Sequence, residues 1–375
     1  MIEIRQTTRI LLAELEVLKN IEMQRVFLVT DPFLLTTSVI DRLKSILVSR
    51  EIKIYSEIKP DPTIEQVANG VENMKLLSPD TLIVIGGGSA IDAAKAMKYF
   101  YLKSIQESVK IQLIAIPTTS GTGSEVTSFS VIRDSKKGIK YPLFSSEILP
   151  DIALLDKGLV KTVPKKVTAD TGMDVLTHSL EAYVSINAND FSDLYAEKAF
   201  CLVFNYLSIC FTDPENDVAR EKMHIASTLA GLAFNIAGLG INHGLSHALG
   251  AAFHVPHGRM NTILMPEIIR FNSALKEESS LDTKIAIKKY AYLASLIGIE
   301  SSQEKVAVSS LIQKIEKLQE TLEMPKSLTE FGLDKKNILE SIENVIINAL
   351  ADITTSTNPR QTNRKNLEKI IKKIM

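Results

Sequence analysis

The sequence carries almost no net charge, because its 43 basic residues are matched by 44 acidic ones. Proteins that bind nucleic acids or acidic membranes usually do so through a long-range positive field, which this balance does not produce. The charge therefore argues against both classes of partner. It favours a protein that acts on small molecules.

Cysteine is also scarce, with only Cys201 and Cys210 in the chain. Both lie in the apolar stretch AFCLVFNYLSICF, which is typical of a helix, so we expect reduced core side chains and no disulfide. The first ten residues, MIEIRQTTRI, lack the basic-then-apolar order of a signal peptide. Together these features predict a cytoplasmic protein.

Long apolar runs are rare, and residues 225–241 are the segment that could be mistaken for a membrane span. Ser227, Thr228, Asn235 and three glycines interrupt this run, and histidines follow it directly. We therefore predict a buried helix of a soluble domain in place of a membrane-spanning segment.

Over its first 160 residues the sequence alternates short β-branched runs with helical stretches. Strands are predicted at 26–30, 52–58, 81–87 and 112–117, and helices at 36–50, 63–77 and 89–103. Parallel strands need crossover connections, so this alternation favours a Rossmann-like parallel sheet covered by helices. A chain of 375 residues exceeds the length at which one core keeps growing, so two domains are expected.

From about residue 161 the pattern changes to apolar residues spaced by three and four, as in VLTHSLEAYV and EKAFCLVFNYL. Strand-like runs become scarce, which predicts an all-α second domain. The proline-bearing segment GLVKTVPKK fits a connector at the boundary. The expected domains are an α/β domain over residues 1–160 and an all-helical domain over residues 161–375.

A glycine loop follows the third predicted strand, in LIVIGGGSAIDAAK at residues 82–95. Glycines allow an anion to approach the backbone closely, and the first N–H groups of the following helix bind phosphate oxygens. A pyrophosphate is therefore the natural occupant. The loop is neither Gly-x-Gly-x-x-Gly nor a P-loop, and a tight turn capped by Ser89 would explain the same residues.

A second polar turn, PTTSGTGSE at residues 117–125, ends the next predicted strand. Its threonine hydroxyls should lie at the carboxyl edge of the same sheet, where α/β proteins bind ligands. Asp31 ends the first predicted strand, where a carboxylate can accept a hydrogen bond from a ribose 2'-hydroxyl and repel a 2'-phosphate. Asp31 thus points to NAD over NADP, although a turn cap before Pro32 is an equal alternative.

An aspartate and several histidines recur at helical spacing in the second half. Asp174 and His178 are four residues apart, as are His243 and His247, so each pair shares one helical face. His257 follows beyond a proline. Imidazoles and a carboxylate make a complete ligand set for a divalent transition metal and leave room for one exogenous oxygen.

Each of these residues also has a structural interpretation when it is taken alone. Asp174 could cap a helix or pair with a lysine, and His178 or His243 could be a hydrogen-bonded core histidine. Two successive pairs plus a third position favour the metal. The other two histidines, His224 and His254, are interpreted as helix surface and protein surface.

The motifs of this chain resemble those of the iron-containing, group III alcohol dehydrogenases. They occur in family order along nearly the whole chain: PDPT at 60–63, GGGSAIDAAK, PTTSGTGSE, LPDIALLD, TGMDVLTHSLEAYVS, AGLAF, HGLSHALGA, PHGRMN and TNPR. Within the family, TADTGMDVLTHSLEAYVS looks closest to the propanol and ethanol dehydrogenases linked to bacterial microcompartments. The resemblance implies the dehydroquinate synthase-like architecture, with an NAD-binding α/β domain and a helical metal- and substrate-binding domain.

The resemblance also implies roles for individual residues. The metal, Fe2+ or sometimes Zn2+, would be bound by Asp174, His178, His243 and His257. His247 would lie near the nicotinamide and the substrate as the candidate catalytic residue. NAD(H) would contact Asp31, Gly87, Gly88, Ser89, Thr118, Thr119, Thr122 and Lys140. The substrate pocket would be lined by Phe129 and Phe234, and Phe129 occupies a position that is polar in diol-reducing relatives.

The implied function is an oxidoreductase that reduces a short-chain aldehyde, propionaldehyde or acetaldehyde, to a primary alcohol in a reversible, NAD-linked reaction. A dehydrogenase of propanediols or lactaldehyde is the first alternative. A non-redox lyase of the dehydroquinate synthase type is the second, but Arg259 is the only basic residue found near the histidines to hold a phosphate. A third is a scaffold or shell-associated protein with a vestigial site. A homodimer or larger homo-oligomer is expected, in the cytoplasm or inside a microcompartment.

Overall fold

The computed structural model describes residues 6–105, 109–136, 139–275, 277 and 280–375. Residues 1–5, which begin the N-terminal stretch MIEIRQTTRI discussed above, lie outside the described residues. The chain divides into two compact units, Met1–Val163 and Pro164–Met375.

The first unit is built on a parallel sheet of six strands. The described residues of this unit contain eight strands: β1 Arg9–Leu12, β2 Arg25–Thr30, β3 Glu51–Tyr55, β4 Thr81–Gly86, β5 Gln112–Pro117, β6 Phe129–Asp134, β7 Ile139–Phe144 and β8 Ile152–Leu155. The large sheet has the order β1-β8-β5-β4-β2-β3, and every neighbouring pair is parallel. The predicted parallel sheet is therefore confirmed.

Four of these strands were not among those predicted from the sequence. The edge strand β1 is short and largely exposed, so it shows no buried apolar run. Strands β6 and β7 form a separate antiparallel hairpin, and β8 has only four residues. Strands β1 and β8, with four residues each, are too short for a strand pattern to stand out, whereas β6 and β7 are as long as the predicted strands but lack their unbroken apolar runs.

Where the structure describes this unit, three α-helices connect the strands: α1 Ser38–Ile46, α2 Ile64–Leu77 and α3 Gly88–Ser104. Helix α2 begins with a capping box, in which the Thr63 side chain accepts from the Gln66 N–H and the Gln66 side chain accepts from the Thr63 N–H. Two apolar clusters cover the two faces of the sheet, which leaves ligand access at the strand ends.

The strand order places a topological switch point at β2. This strand pairs with β3 on one side and with β4 on the other, so the chain leaves the centre of the sheet in both directions. In open α/β sheets, ligands bind outside the carboxyl ends of the strands at such a point. Asp31, after β2, and the glycine loop, after β4, both lie at this position.

The second unit is entirely helical in the part of the chain that the structure describes, as predicted. Its helices are α4 Lys165–Val184, α5 Asp190–Thr212, α6 Asp217–Ala237, α7 Ile241–Phe253, α8 His257–Asn272, α9 Leu281–Leu296, α10 Glu304–Thr321, α11 Lys335–Ala351 and α12 Arg364–Ile374. Helix α4 is buried from Gly172 to Val184 without a break. It forms a core with α5 and α6, which explains why its polar residues are internal.

The apolar run at residues 225–241 is buried or partly buried throughout, but it does not form one helix. Helix α6 ends at Ala237, where Gly238 adopts a positive φ of 76°, and α7 starts at Ile241 after a bend of 106°. Helix α5 is long and apolar enough to cross a membrane, but it packs into the same core as α4. The bend brings the histidines of α7 back towards α4.

Candidate metal and cofactor sites

The residues predicted as metal ligands come together on three helices. One ligand atom from each of Asp174, His178 and His243 lies within 4.8 Å of the other two, and all three residues are buried. His243 Nε2 is 3.8 Å from Asp174 Oδ1, and His178 Nε2 is 4.0 Å from Asp174 Oδ2. The helical spacing of the first pair and the bend before α7 produce this cluster.

His257, at the start of α8, closes the same group from a more open side. Its Nε2 lies 3.6 Å from Asp174 Oδ1, and 42% of its side chain is exposed. Gly258 makes this approach possible, since a Cβ there would lie 2.0 Å from the backbone oxygen of Asp170. The Arg259 Nε also donates to Asp170 Oδ1 at 2.9 Å, which fixes the start of α8 against α4.

The chemistry of this donor set fits a divalent metal ion. Burial, followed by the neighbouring rings of His178, His257 and His247, holds the pKa of His243 well below its usual range. Its imidazole is therefore neutral at physiological pH, as a metal ligand must be. The buried carboxylate of Asp174 faces these rings, and a bound cation would offset the cost of burying its charge.

Asn261, one turn after His257, contacts three of the proposed metal ligands. Its Nδ2 donates to Asp174 Oδ1 at 2.7 Å and lies 3.2 Å from Nε2 of both His243 and His257. Asn242 in turn donates to Asn261 Oδ1 at 3.0 Å. Sequence reasoning missed Asn261, although its position four residues after His257 on α8 was a usable signal.

Two further carboxylates orient the histidines of α7. The Nδ1 of His243 is hydrogen-bonded to Glu181 Oε2, and the Nδ1 of His247 lies 2.8 Å from Asp352 Oδ2. Burial raises the pKa of Asp352, but the hydrogen bond and charge of His247, together with Thr354, outweigh it and lower the pKa to about 2. Neither carboxylate was predicted from the sequence as part of the site.

His247 itself lies beside the proposed metal ligands, and its predicted place near the nicotinamide and the substrate stays a prediction. Its ring stacks on that of His257 with centroids 5.3 Å apart, and 29% of its side chain is exposed. Because Asp352 engages Nδ1, the Nε2 atom is the one left for a reacting molecule.

The structure also shows where the other two histidines and the two predicted pocket residues lie. The interpretation of His224 as helix surface is wrong, because the residue is 2% exposed and burial lowers its pKa to about 4. His254 is exposed, as predicted. The Phe234 ring lies 4.7 Å from that of His178, whereas Phe129, in the first unit, packs on Phe144 at 4.8 Å.

The glycine loop and the threonine turn form one surface. The N-cap of α3 is Gly87, which offers no capping side chain, so the alternative in which Ser89 caps this helix is wrong. A Cβ at Gly88 would lie 2.6 Å from the Thr122 side chain, and a Cβ at Gly87 would lie 3.6 Å from that of Thr119. The loop therefore leaves an uncapped helix N-terminus beside threonine side chains, an arrangement suited to an anion.

Asp31 caps the turn that follows β2, and its contact with a cofactor ribose stays a prediction. Its Oδ1 accepts the N–H of Leu34 at 3.1 Å, which is the expected turn cap. Its Oδ2 would lie 3.3 Å from a Cβ placed on Gly86, so the second oxygen reaches the glycine loop. Thr118 joins the same strand ends, because its N–H donates to Gly86 O at 3.0 Å.

Lys140, on β7, has an ion-pair partner that the sequence did not indicate. Its Nζ lies 2.6 Å from Asp61 Oδ1, within the PDPT motif. Asp61 adopts a positive φ of 57°. Contact of Lys140 with a cofactor stays a prediction.

The buried side chain of Lys95 stabilises the threonine turn through hydrogen bonds. Lys95 Nζ donates to Ser124 Oγ, Thr127 Oγ1 and the backbone oxygen of Phe129, at 3.0, 2.9 and 2.9 Å. Burial lowers the pKa of Lys95 to about 8, although the nearby carboxylates of Asp92 and Glu125 act to raise it. These bonds fix the chain between the turn and β6.

Two family models match the chain. The one described as "Iron-containing alcohol dehydrogenase" covers residues 7–157, and the one described as "Fe-containing alcohol dehydrogenase family, C-terminal" covers residues 168–375. Each therefore covers most of one of the two units.

Known proteins resemble the chain over most of its length. The 1-propanol dehydrogenase PduQ of Salmonella typhimurium is 44% identical over 365 residues, which is 96% of each chain. The NADPH-dependent butanol dehydrogenase of Clostridium saccharobutylicum is 40% identical over 85% of this chain and 83% of its own. The solved structure of sulfoacetaldehyde reductase from Bifidobacterium kashiwanohense in complex with NAD+ has a TM-score of 0.87, 26% identity, and coverage of 100% and 98%.

Proposed function

Since the chain belongs to the iron-containing alcohol dehydrogenase family, we propose that it reduces a short-chain aldehyde, propionaldehyde or acetaldehyde, to the primary alcohol in a reversible NAD-linked reaction. The observation that carries the proposal is the donor cluster of Asp174, His178 and His243 beside the apolar ring of Phe234. This arrangement supports binding of a small molecule that has one oxygen and an alkyl tail.

The second unit is proposed to supply both the Lewis acid and the proton donor. Asp174, His178, His243 and His257 would hold Fe2+, or Zn2+ in its place, and the cation would act as a Lewis acid towards the substrate oxygen. In the aldehyde direction, His247 gives a proton from Nε2 to the carbonyl oxygen, and Asp352 stabilises the donating ring through Nδ1. In the alcohol direction the same atom accepts that proton.

The first unit supplies the dinucleotide site. NADH would supply the hydride that passes to the carbonyl carbon. Gly87, Gly88 and Ser89, at the start of α3, are proposed to bind the pyrophosphate through backbone N–H groups. Thr118, Thr119, Thr122 and Lys140 are proposed as the remaining contacts.

The NAD preference is proposed to depend on Asp31. We expect the Asp31→Gly variant to raise the ratio of NADPH to NADH activity by about tenfold to a thousandfold, because a carboxylate near a 2'-phosphate costs about 1–4 kcal/mol. Steady-state kcat/KM values with both cofactors at fixed aldehyde concentration measure this ratio.

Asp41 provides a matched control, since it is an exposed acidic residue of α1 in the same unit. The Asp41→Asn variant should leave the cofactor ratio at the wild-type value. An unchanged ratio in Asp31→Gly would remove the proposed role of Asp31. The NADPH-dependent butanol dehydrogenase among the relatives makes this measurement necessary.

The substrate is tested on anaerobically purified enzyme of known metal content, by NADH oxidation with acetaldehyde, propionaldehyde, butyraldehyde and lactaldehyde. We expect the unsubstituted aldehydes to give kcat/KM values up to about a hundredfold above that of lactaldehyde, because an apolar pocket leaves the added hydroxyl unpaired. A preference for lactaldehyde would support a propanediol or lactaldehyde dehydrogenase. No NADH oxidation with any aldehyde would support a lyase or a vestigial site.

The cellular location and the partners of the enzyme are proposed from its resemblance to the microcompartment-linked propanol dehydrogenases. Its partners are then the small aldehyde and alcohol, further copies of this chain and, inside a microcompartment, the shell. The 44% identity with a 1-propanol dehydrogenase over 96% of both chains supports this placement in the cytoplasm.

A further inference from the structure

The carboxylate of Glu181 lies behind the proposed metal site, on the Nδ1 side of the His243 ring. Glu181 is on α4, seven residues after Asp174 and therefore on the same helical face, and it is 4% exposed. Its Oε1 accepts the N–H of Asn242 at 2.7 Å and the N–H of His243 at 3.4 Å. Its Oε2 is hydrogen-bonded to His243 Nδ1.

These contacts give the carboxylate two roles at the start of α7. The N-cap of α7 is Gly240, which has no side chain to accept the first N–H groups of the helix, so Glu181 accepts them from a different helix. Gly240 also makes room for this, since a Cβ there would lie 2.7 Å from Glu181 Oε1. One side chain therefore sets both where α7 begins and how the His243 ring is turned.

The ring orientation bears directly on metal binding. A neutral imidazole carries one proton, and an acceptor at Nδ1 keeps that proton away from Nε2. The Nε2 lone pair then faces Asp174, at 3.8 Å. An amide in place of the carboxylate could not both accept from the α7 backbone and accept from Nδ1.

We propose that Glu181 is a positioning residue for the metal: it fixes the Nδ1–H form of His243 and the start of α7, so that His243 Nε2 is presented as a ligand. This inference rests on the proposed function, because it requires a metal at Asp174, His178, His243 and His257. Partners of this kind typically change metal affinity by about 10- to 100-fold when they are replaced.

The test is the affinity of the metal-free full-length protein for Fe2+, measured by anaerobic equilibrium dialysis. The Glu181→Gln variant should bind Fe2+ about 10- to 100-fold more weakly than wild type. Its NADH affinity, measured by cofactor fluorescence, should be unchanged, since Glu181 belongs to the helical unit. The matched control is Glu197→Gln, which removes a carboxylate that accepts from Tyr183 and should leave Fe2+ affinity at the wild-type value.

A second variant tests the same carboxylate without altering it. In Gly240→Ala the new Cβ would lie 2.7 Å from Glu181 Oε1 and 2.9 Å from Asn358 Oδ1, so both oxygens must shift and Fe2+ affinity should again fall. Because the part of this loss that acts through Glu181 is already absent in Glu181→Gln, the double variant should lose less than the two single losses combined. Wild-type Fe2+ affinity in a folded Glu181→Gln or Gly240→Ala protein would overturn the positioning role. If wild type itself binds no Fe2+, the proposed metal site fails, and with it the premise.

Discussion

Replacing His257 with alanine is expected to remove the metal from the enzyme and to lower kcat/KM for aldehyde reduction by about a thousandfold or more, since Lewis-acid stabilisation is worth several kcal/mol. His257 is the most exposed of the four proposed ligands. Its removal therefore leaves no buried cavity, and the fold should survive. A lost ligand, and not a lost core contact, would then account for the change.

The measurement is iron content by elemental analysis after anaerobic dialysis, together with NADH binding and turnover. We expect NADH binding to stay at the wild-type level, because the proposed dinucleotide loops belong to the first unit. His254→Ala is the matched control, since this exposed histidine lies three residues earlier. Equal metal content in His257→Ala and wild type would contradict the ligand assignment.

The second large effect is expected from His247→Ala. Proton transfer by a positioned side chain contributes about 10²- to 10⁴-fold, so kcat should fall within that range while iron content stays at the wild-type level. His247 Nδ1 is held by Asp352, and its ring lies against His257 without supplying one of the four proposed ligands. The decrease in kcat should therefore occur without loss of iron.

Added imidazole provides the specific readout for His247. Because the side chain is partly exposed, its removal should leave a space that a small imidazole can enter, and kcat should then recover in part. Loss of iron from His247→Ala would make this residue a metal ligand and contradict its assignment as a proton carrier. Wild-type kcat would remove any role in the chemistry.

The sequence predicted those features that depend on neighbours along the chain. The buried strands β2, β4 and β5 were found at or within one residue of their ends, because unbroken apolar runs are rare outside such strands. The Asp174 and His178 pair was found because residues four apart share a helix face. The break after Ala237 and the burial of His224 were missed, since each depends on which helix packs alongside.

By itself, the sequence determined the order of the α/β and helical halves, the position of the glycine loop proposed to bind an anion, and the residue types proposed to hold a metal. The tertiary structure decided which polar groups meet: Asp352 reaches His247 from 105 residues away, Glu181 reaches His243 from 62, and Lys95 reaches Phe129 from 34. Local spacing encodes the face of a helix or strand, whereas these pairs depend on how whole elements pack. A buried carboxylate or ammonium is stable only where that packing supplies its partner, and no single stretch of sequence records the match.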